Sequence, residues 1–261
     1  MKIISLKPSL EPIFWKHVKR DIPHYYFFAF DWKYNRDKTE IMLALEGKHV
    51  KGMMLIYKQY IVQLRGSREA VKALLEKLDL EKVELQAPRQ HKPSILAKYK
   101  PSITHELMLM TLYRGEEKPQ VRHPIFKLDT SNAEQIATIM KDADPEFWGT
   151  VTSQRIIEGI GTGENWVGIK VNNELVSIGS VRLTEFGGLV GVIATQKAHR
   201  NKGYATSIVS ELVKQIFEKL STAMIFVRSD NLPAVKAYSK VGFKPYRKYF
   251  FMRGEKHQQG E

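Results

Sequence analysis

The run Arg200-Asn201-Lys202-Gly203-Tyr204-Ala205-Thr206 sets two cations and a glycine between an apolar stretch at 189–195 and a segment of helical period. In that segment the apolar residues are Ile208, Val209, Leu212, Val213, Ile216 and Phe217. The spacing predicts a strand, a basic turn, and a helix whose first turn begins beside Gly203. The opening N–H groups of a helix have no partners within it, and the helix dipole adds about half a positive charge at that end. Glycine lets the main chain approach an anion with no Cβ in the way, while Arg200 and Lys202 bring full charges. Such a turn suits the cradling of a phosphate or pyrophosphate.

Downstream, Asn231-Leu-Pro-Ala234-Val-Lys-Ala-Tyr238-Ser-Lys-Val-Gly242-Phe243 reads as a helix, with Asn231 as its N-cap, Pro233 in its first turn and Gly242 as its C-cap. Together, R-x-x-G-x-A followed by N-x-x-A-x-x-x-Y-x-x-x-G-F resembles the GNAT superfamily of acyl-coenzyme A-dependent N-acetyltransferases, over residues 122–253. The overall layout is similar to glycine N-acyltransferase-like proteins. The resemblance implies an α/β (α+β) fold with a mixed, mostly antiparallel sheet flanked by helices. Its fourth strand bears a bulge and parts from the fifth, opening the groove where the coenzyme lies. It implies acetyl-CoA as cosubstrate, with the pyrophosphate on the N–H groups around 200–206 and the pantetheine amides on the main chain of Ile193, Ala194 and Thr195. Asn231 would touch the coenzyme as well as cap its helix. Tyr238 matches the family tyrosine that stands near the coenzyme sulfur and protonates it. Read without the resemblance, Tyr238 is a core aromatic on an amphipathic helix.

Acetyl transfer from a thioester to an amine needs a deprotonated amine, a polarised carbonyl and a proton for the departing thiolate. An amine with a pKa of about 10 is mostly protonated at neutral pH, so a carboxylate usually assists. Many relatives place a glutamate early on the fourth strand, where this chain has Leu189 after Gly187 and Gly188. Glu185 is the nearest carboxylate in sequence and is the candidate base, with Asp144 and Glu146 as second choices. Each of these, taken singly, also reads as a solvated loop charge. Phe147 and Trp148 lie where the family lines its acceptor pocket. Proximity alone can supply a large part of the rate for a weakly basic amine.

The elements that must position these residues follow from period and punctuation. After a polar segment at 114–119, broken by Gly115 and Pro119, come a strand at 125–129 and helices at 132–141, capped by Ser131 or Asn132, and at 153–159. Strands at 166–171, 175–183 and 189–195, a helix at 204–219, a strand at 224–228, a helix at 232–241 and a strand at 246–252 complete the order. The expected division is a first lobe at 1–116, a catalytic lobe at 120–255 and a flexible tail at 256–261. Glycines 159, 161 and 163 follow a helix and precede a strand, the reverse of a dinucleotide fingerprint, and read as a loop with a helix C-cap.

The first lobe repeats part of this pattern. Setting Glu76-Lys77-Leu78 against Glu218-Lys219-Leu220 aligns Val71 with Val213, Leu74 with Ile216 and Val83 with Ile225. The basic turn then falls on Lys58 to Gln63, which holds no glycine, while Asn231 and Tyr238 fall on Arg89 and Leu96. The first lobe is therefore expected to be a degenerate copy without a coenzyme site.

Composition sets the outer bounds. No cysteine is present, which excludes disulfides and an acyl-cysteine intermediate, and the eight histidines include no pair at helical spacing, so no metal is expected. A formal net charge of +13, spread over both halves of the chain, suits a polyanionic ligand. It would suit nucleic acid too, though no motif supports that partner. No apolar run reaches the ~18 residues of a membrane span, and the first residues do not read as a signal peptide, so a cytoplasmic location is expected. The leading expectation is an acetyl-CoA-dependent N-acetyltransferase acting on an amine of a small molecule or a protein. The alternative is a catalytically weak coenzyme A-binding or nucleic-acid-associated module; the oligomeric state is left open.

Overall fold

The computed structural model, which describes residues 1–257, divides into two compact units, each with a hydrophobic core of its own. The first takes Met1–Leu109, Arg228–Asp230 and the chain from Arg247 onward; the second takes Met110–Val227 and Asn231–Tyr246.

The first unit holds β1 (Lys2–Ser5), α1 (Glu11–Val18), α2 (Ile22–Tyr34), β2 (Thr39–Glu46), β3 (His49–Tyr57), β4 (Ile61–Gly66), α3 (Arg68–Lys77), β5 (Lys82–Pro88) and α4 (Lys92–Leu96). It also holds most of β6 (Tyr99–Tyr113), and its sheet is completed by β12 (Lys244–Lys256), in the order β1-β2-β3-β4-β5-β12-β6. β4 and β5 run parallel, whereas β1 to β4 pair antiparallel in succession, as does β12 with β5.

The second unit adds to the end of β6 the elements β7 (Phe126–Leu128), α5 (Ala133–Ala143), α6 (Pro145–Trp148), α7 (Ser153–Gly161), β8 (Glu164–Val171), β9 (Glu174–Thr184), β10 (Gly187–Thr195), α8 (Tyr204–Lys219), β11 (Thr222–Arg228) and α9 (Leu232–Val241). Its strands run β6-β11-β10-β9-β8-β7, with β10 and β11 parallel and the pairs from β10 to β7 antiparallel. The β8–β9 hairpin turns on Asn172 and Asn173, both left-handed at φ 50° and 66°, which matches the twist of the strands it joins.

Helices cover the two faces of this second sheet. α8 lies so close on one face that a Cβ at Gly179 would stand 2.3 Å from Ile208 Cγ2 and one at Gly188 2.4 Å from Ile216 Cγ1. Because side chains alternate along a strand, Ile178, Ser180 and Arg182 point to the other face. There Ile136, Ala137 and Met140 of α5, Ile156 of α7, Trp166 of β8 and Ile178 form the core.

Several boundaries differ from those expected. The segment 114–119 does not separate two lobes: Arg114 N–H donates to Ser221 O (3.0 Å) and Lys118 N–H to Val241 O (2.8 Å), which bind it to the second unit. The chain passes between units inside β6, and the last strand pairs with β5 from Tyr249↔Pro88 to Glu255↔Lys82. Of the expected tail, Lys256 ends β12 and His257 is described, while 258–261 lie outside the described residues. α5 has Asn132 as its N-cap residue, one of the two expected, though no side chain caps it; the short turn at Thr130–Asn132 just before is capped by Asp129, accepting from Ser131 N–H at 2.8 Å. α7 runs on to Gly161, and the left-handed turn residue is Gly163, at φ 89°.

Candidate active site

Strands β10 and β11 are in register only at Gly188↔Ala223, Leu189↔Met224 and Val190↔Ile225. Beyond Val190 the two strands are no longer paired. β10 instead bulges against β9: Val190 faces Val181, and the next paired residue, Ile193, faces Gly179. A bulge gives one strand an extra residue and bends it, which is how β10 leaves its parallel neighbour. The result is a groove edged by the main chain of β10 from Gly191 onward, as the resemblance implied.

The groove edge is not uniform. Gln196 N–H donates to Val176 O, and Ser177 Oγ donates to Ala194 O at 3.1 Å. Alternation along an antiparallel ladder therefore turns the main-chain groups of Ala194 toward β9 and those of Ile193 and Thr195 toward the groove. Of the three residues expected to hold pantetheine amides, the main chains of Ile193 and Thr195 face it, while Ala194 adds a buried side chain to the core.

At the far end of β10 stands the basic turn. Asn201 and Gly203 are left-handed, at φ 64° and 81°, and Gly203 is the N-cap of α8 with no side chain capping the helix. The N–H groups of Tyr204, Ala205 and Thr206 accordingly open into the turn. A Cβ at Gly203 would meet, among the described residues, only His123 Cε1 within 4 Å, at 3.7 Å, so the approach to these donors is open. His123 stands edge-on to Tyr204 with ring centroids 4.6 Å apart, and its Nδ1 lies 3.0 Å from Ser207 Oγ. Arg200 is a brace as well as a charge: its Nη2 donates to Ala143 O at 2.9 Å and its Nε to Thr195 O at 3.4 Å, and Lys197 N–H donates to Asp142 Oδ2 at 2.8 Å. The turn is thus tied to the end of α5. Lys202 is exposed beside it.

Asn231 Oδ1 accepts from Ala234 N–H at 3.3 Å, the N-cap expected. Tyr238, on α9, is buried against Phe243, with ring centroids 6.4 Å apart. Burial raises the pKa of its phenol, so the group stays neutral and able to donate through the neutral range.

The candidate bases are scattered. Glu185 is exposed in the tight turn between β9 and β10, whereas the bulge lies farther on, in the middle of β10. Asp144 caps α6, accepting from Phe147 N–H at 3.1 Å, and Glu146 is exposed on that short helix. Phe147 and Trp148 meet edge-to-face at 4.7 Å, and Trp148 packs on the α5 core. A carboxylate linked to the bulge is Glu164, the first residue of β8, which reaches it through Ser180: Glu164 Oε1 accepts from Ser180 Oγ at 2.8 Å, and Ser180 Oγ accepts from Val192 N–H at 3.0 Å. Sequence reading began that strand at 166 and so left Glu164 in a loop; its shared parity with buried Trp166 was the available signal.

In the first unit the corresponding elements are closed. β4 and β5 are in register only at Ile61↔Glu84, Val62↔Leu85 and Gln63↔Gln86, and the space beyond is filled by Arg65. Its guanidinium, fully buried, donates to Leu64 O, Gln86 O, Gln63 Oε1, Gln86 Oε1 and His24 O. β4 passes to α3 through Ser67 alone, and Ser67 Oγ caps α3 by accepting from Ala70 N–H at 3.2 Å. Lys58 and Gln59 form instead the left-handed β3–β4 turn, so the counterpart of the basic turn is missing rather than altered.

This architecture is similar to the fold of solved GNAT-family structures. Residues 166–252 match the family model described as FR47-like protein. Among solved structures, a Drosophila protein is similar at 9% identity over 96% of this chain and 98% of its own, with a TM-score of 0.71. A GNAT-family acetyltransferase from Colwellia psychrerythraea is similar at 12% identity over 98% of this chain and 100% of its own, with a TM-score of 0.60. A tandem GNAT protein of the clavulanic acid biosynthesis pathway is similar at 15% identity over 83% of this chain and 82% of its own, with a TM-score of 0.54. No curated protein sequence matched the chain. Among the described residues no helix is long and apolar enough to cross a membrane, and no group of three or more His, Asp or Glu is placed to hold a metal ion.

Proposed function

We propose that the protein is an acyl-coenzyme A-dependent N-acetyltransferase whose second unit binds acetyl-CoA and passes its acetyl group directly to a primary amine. One observation carries this reading: the split and bulge of β10 lead along an open strand edge to a helix whose N–H groups have no side-chain cap and sit behind a left-handed glycine. The turn 200–206 would hold the pyrophosphate through main-chain N–H groups, with Lys202 and Arg200 adding charge. Ile193 and Thr195 present main-chain groups where an amide-bearing chain would run. Acetyl-CoA supplies the activated thioester; Tyr238 supplies a proton to the departing sulfur. The first unit, with Arg65 in its split and Ser67 on its helix, binds no coenzyme.

Calorimetry with acetyl-CoA on the wild type and on Gly203→Glu tests the binding half. A carboxylate at that position would repel the phosphates and would strain the left-handed backbone, so affinity should fall at least ~10-fold, an effect of about 1.4 kcal/mol; equal affinities would remove the turn from the site. A second reading, a coenzyme-binding module without turnover, draws on Leu189 standing where relatives carry a glutamate. Free thiol released from acetyl-CoA in the presence of primary amines separates the two.

A further inference from the structure

We propose that Glu164 is the catalytic base, taking the proton from the acceptor amine at the β10 bulge. This assignment rests on the N-acetyltransferase reading, and it puts the carboxylate on β8 rather than at Leu189.

The bulge and the position of the carboxylate coincide. Gly191 and Val192 are the first residues of β10 past its last pair with β11, and the Glu164–Ser180–Val192 chain of hydrogen bonds ends there. Ser180 points away from α8, so the carboxylate stands on the face of the sheet opposite that helix. An amine approaching from this face and an acyl group held from the α8 side would meet across the split.

Two glycines leave room around the carboxylate. A Cβ at Gly191 would stand 3.3 Å from Glu164 Oε1 and 2.6 Å from Ser180 Oγ, and a Cβ at Gly159 would stand 2.5 Å from Glu164 Oε2. Gly191 is exposed, so the volume its missing side chain leaves opens to solvent within hydrogen-bonding reach of Oε1. Glu164 itself is 23% exposed, and its charged neighbour is Arg182, with Nη2 4.0 Å from Oε2. Arg182 is in turn held to Thr162 O at 2.5 Å. The remaining faces are Ser180 of β9, Gly159 of α7 and Gly191 of β10. A structural pin would account for the Ser180 bond; it would not require the open space on the other side of Oε1.

The step balances as follows. Glu164 Oε1 takes one proton from the ammonium, and the neutral nitrogen bonds to the acyl carbon as the carbon–sulfur bond breaks; nitrogen sheds its second proton to solvent, and the sulfur takes one from Tyr238 or from solvent. Glu164 then returns its proton to solvent and Tyr238, where it is the donor, regains one from solvent, leaving amide and free coenzyme thiol.

The test is steady-state thiol release with acetyl-CoA and glycine, tyramine, spermidine or a free-N-terminus tetrapeptide as acceptor, on the wild type and on Glu164→Gln. The amide can still accept from Ser180, so acetyl-CoA affinity by calorimetry should be unchanged. The variant should lose ~10²-fold or more in kcat near neutral pH, with the deficit shrinking as pH approaches the amine pKa of about 10, where the amine needs no help. If Glu164→Gln does not fold, Glu164→Ala with and without added formate replaces it, and rescue by formate is expected. A wild type active on an amine with Glu164→Gln equal to it, or Glu164→Ala unrescued, overturns the assignment alone. A wild type that binds acetyl-CoA but acetylates none of these amines overturns the acetyltransferase reading and the assignment with it.

Discussion

Arg65 Nη2 donates to Gln86 Oε1 at 2.6 Å, joining β4 to β5 immediately beyond their last paired residues. In the second unit, β10 and β11 likewise pair only as far as Val190↔Ile225, and β10 then bulges against β9. One fold thus gives one split filled by a buried cation and one bordered by a bulge.

The first prediction concerns stoichiometry and the stability of that plug. Saturation calorimetry should find one coenzyme per chain, and two would show that the first unit binds as well. Arg65 has neutral acceptors and the ring of Tyr249, 4.5 Å from its Cζ, as its surroundings. Arg65→Met, similar in length, would strand several carbonyl groups and should cost about 3 kcal/mol or more in urea unfolding. A loss under about 1 kcal/mol would mean that these acceptors find other partners.

A second prediction is pH-dependent stability. His24 Nδ1 lies 2.7 Å from Tyr249 Oη, and burial, followed by the positive charges of Arg65, Arg247 and His17, holds the His24 pKa at about 2. The unfolded chain takes up a proton near the ordinary value of about 6.5, so it binds more protons than the folded state between those limits. Stability should therefore be full above about pH 6.5 and fall as pH drops below it. His24 would contribute up to about 2 kcal/mol of loss between about pH 7 and about pH 5. Burial also lowers the pKa of His17 and His91, which adds to the trend, so the measurement is a comparison of wild type with His24→Gln at both pH values. Parallel losses in the two proteins would mean that His24 carries none of the dependence.

How much of this could be read from the chain varies with how local each cause is. Gly203, Asn231 and Gly242 were legible because each answers a local backbone demand, a left-handed turn or a helix end, that few residue types meet. The element order of the second unit followed from period for the same reason. The pairing of β12 with β5 was not legible, because Tyr249 to Met252 is a continuous apolar run that suits a sheet of either unit and strand partners are chosen at long range. Arg65 belongs to no motif of the sequence, and only the split of β4 from β5 makes a buried site for it. Glu164 was missed through a strand start placed two residues late, and its meeting with the bulge depends on the registers of β8 with β9 and of β9 with β10 together.

The last prediction separates chemistry from binding at Tyr238. Its ring, on α9, packs edge-on to Phe243 just beyond that helix, and Tyr238→Phe keeps that packing while removing the hydroxyl. Burial raises the phenol's pKa, which keeps it protonated and able to donate a hydrogen bond to the sulfur while negative charge builds there. Losing such a donor typically costs ~10²- to 10⁴-fold in turnover. The expected result is a fall of that order in kcat with acetyl-CoA affinity unchanged by calorimetry, the pattern of an interaction made only as the bond to sulfur breaks. A thiol leaving group of lower pKa needs its proton less, so an activated acetyl thioester such as an aryl thioester should narrow the gap between Tyr238→Phe and wild type. A variant that turns over acetyl-CoA as fast as wild type would make Tyr238 a packing residue and leave the sulfur to take its proton from water.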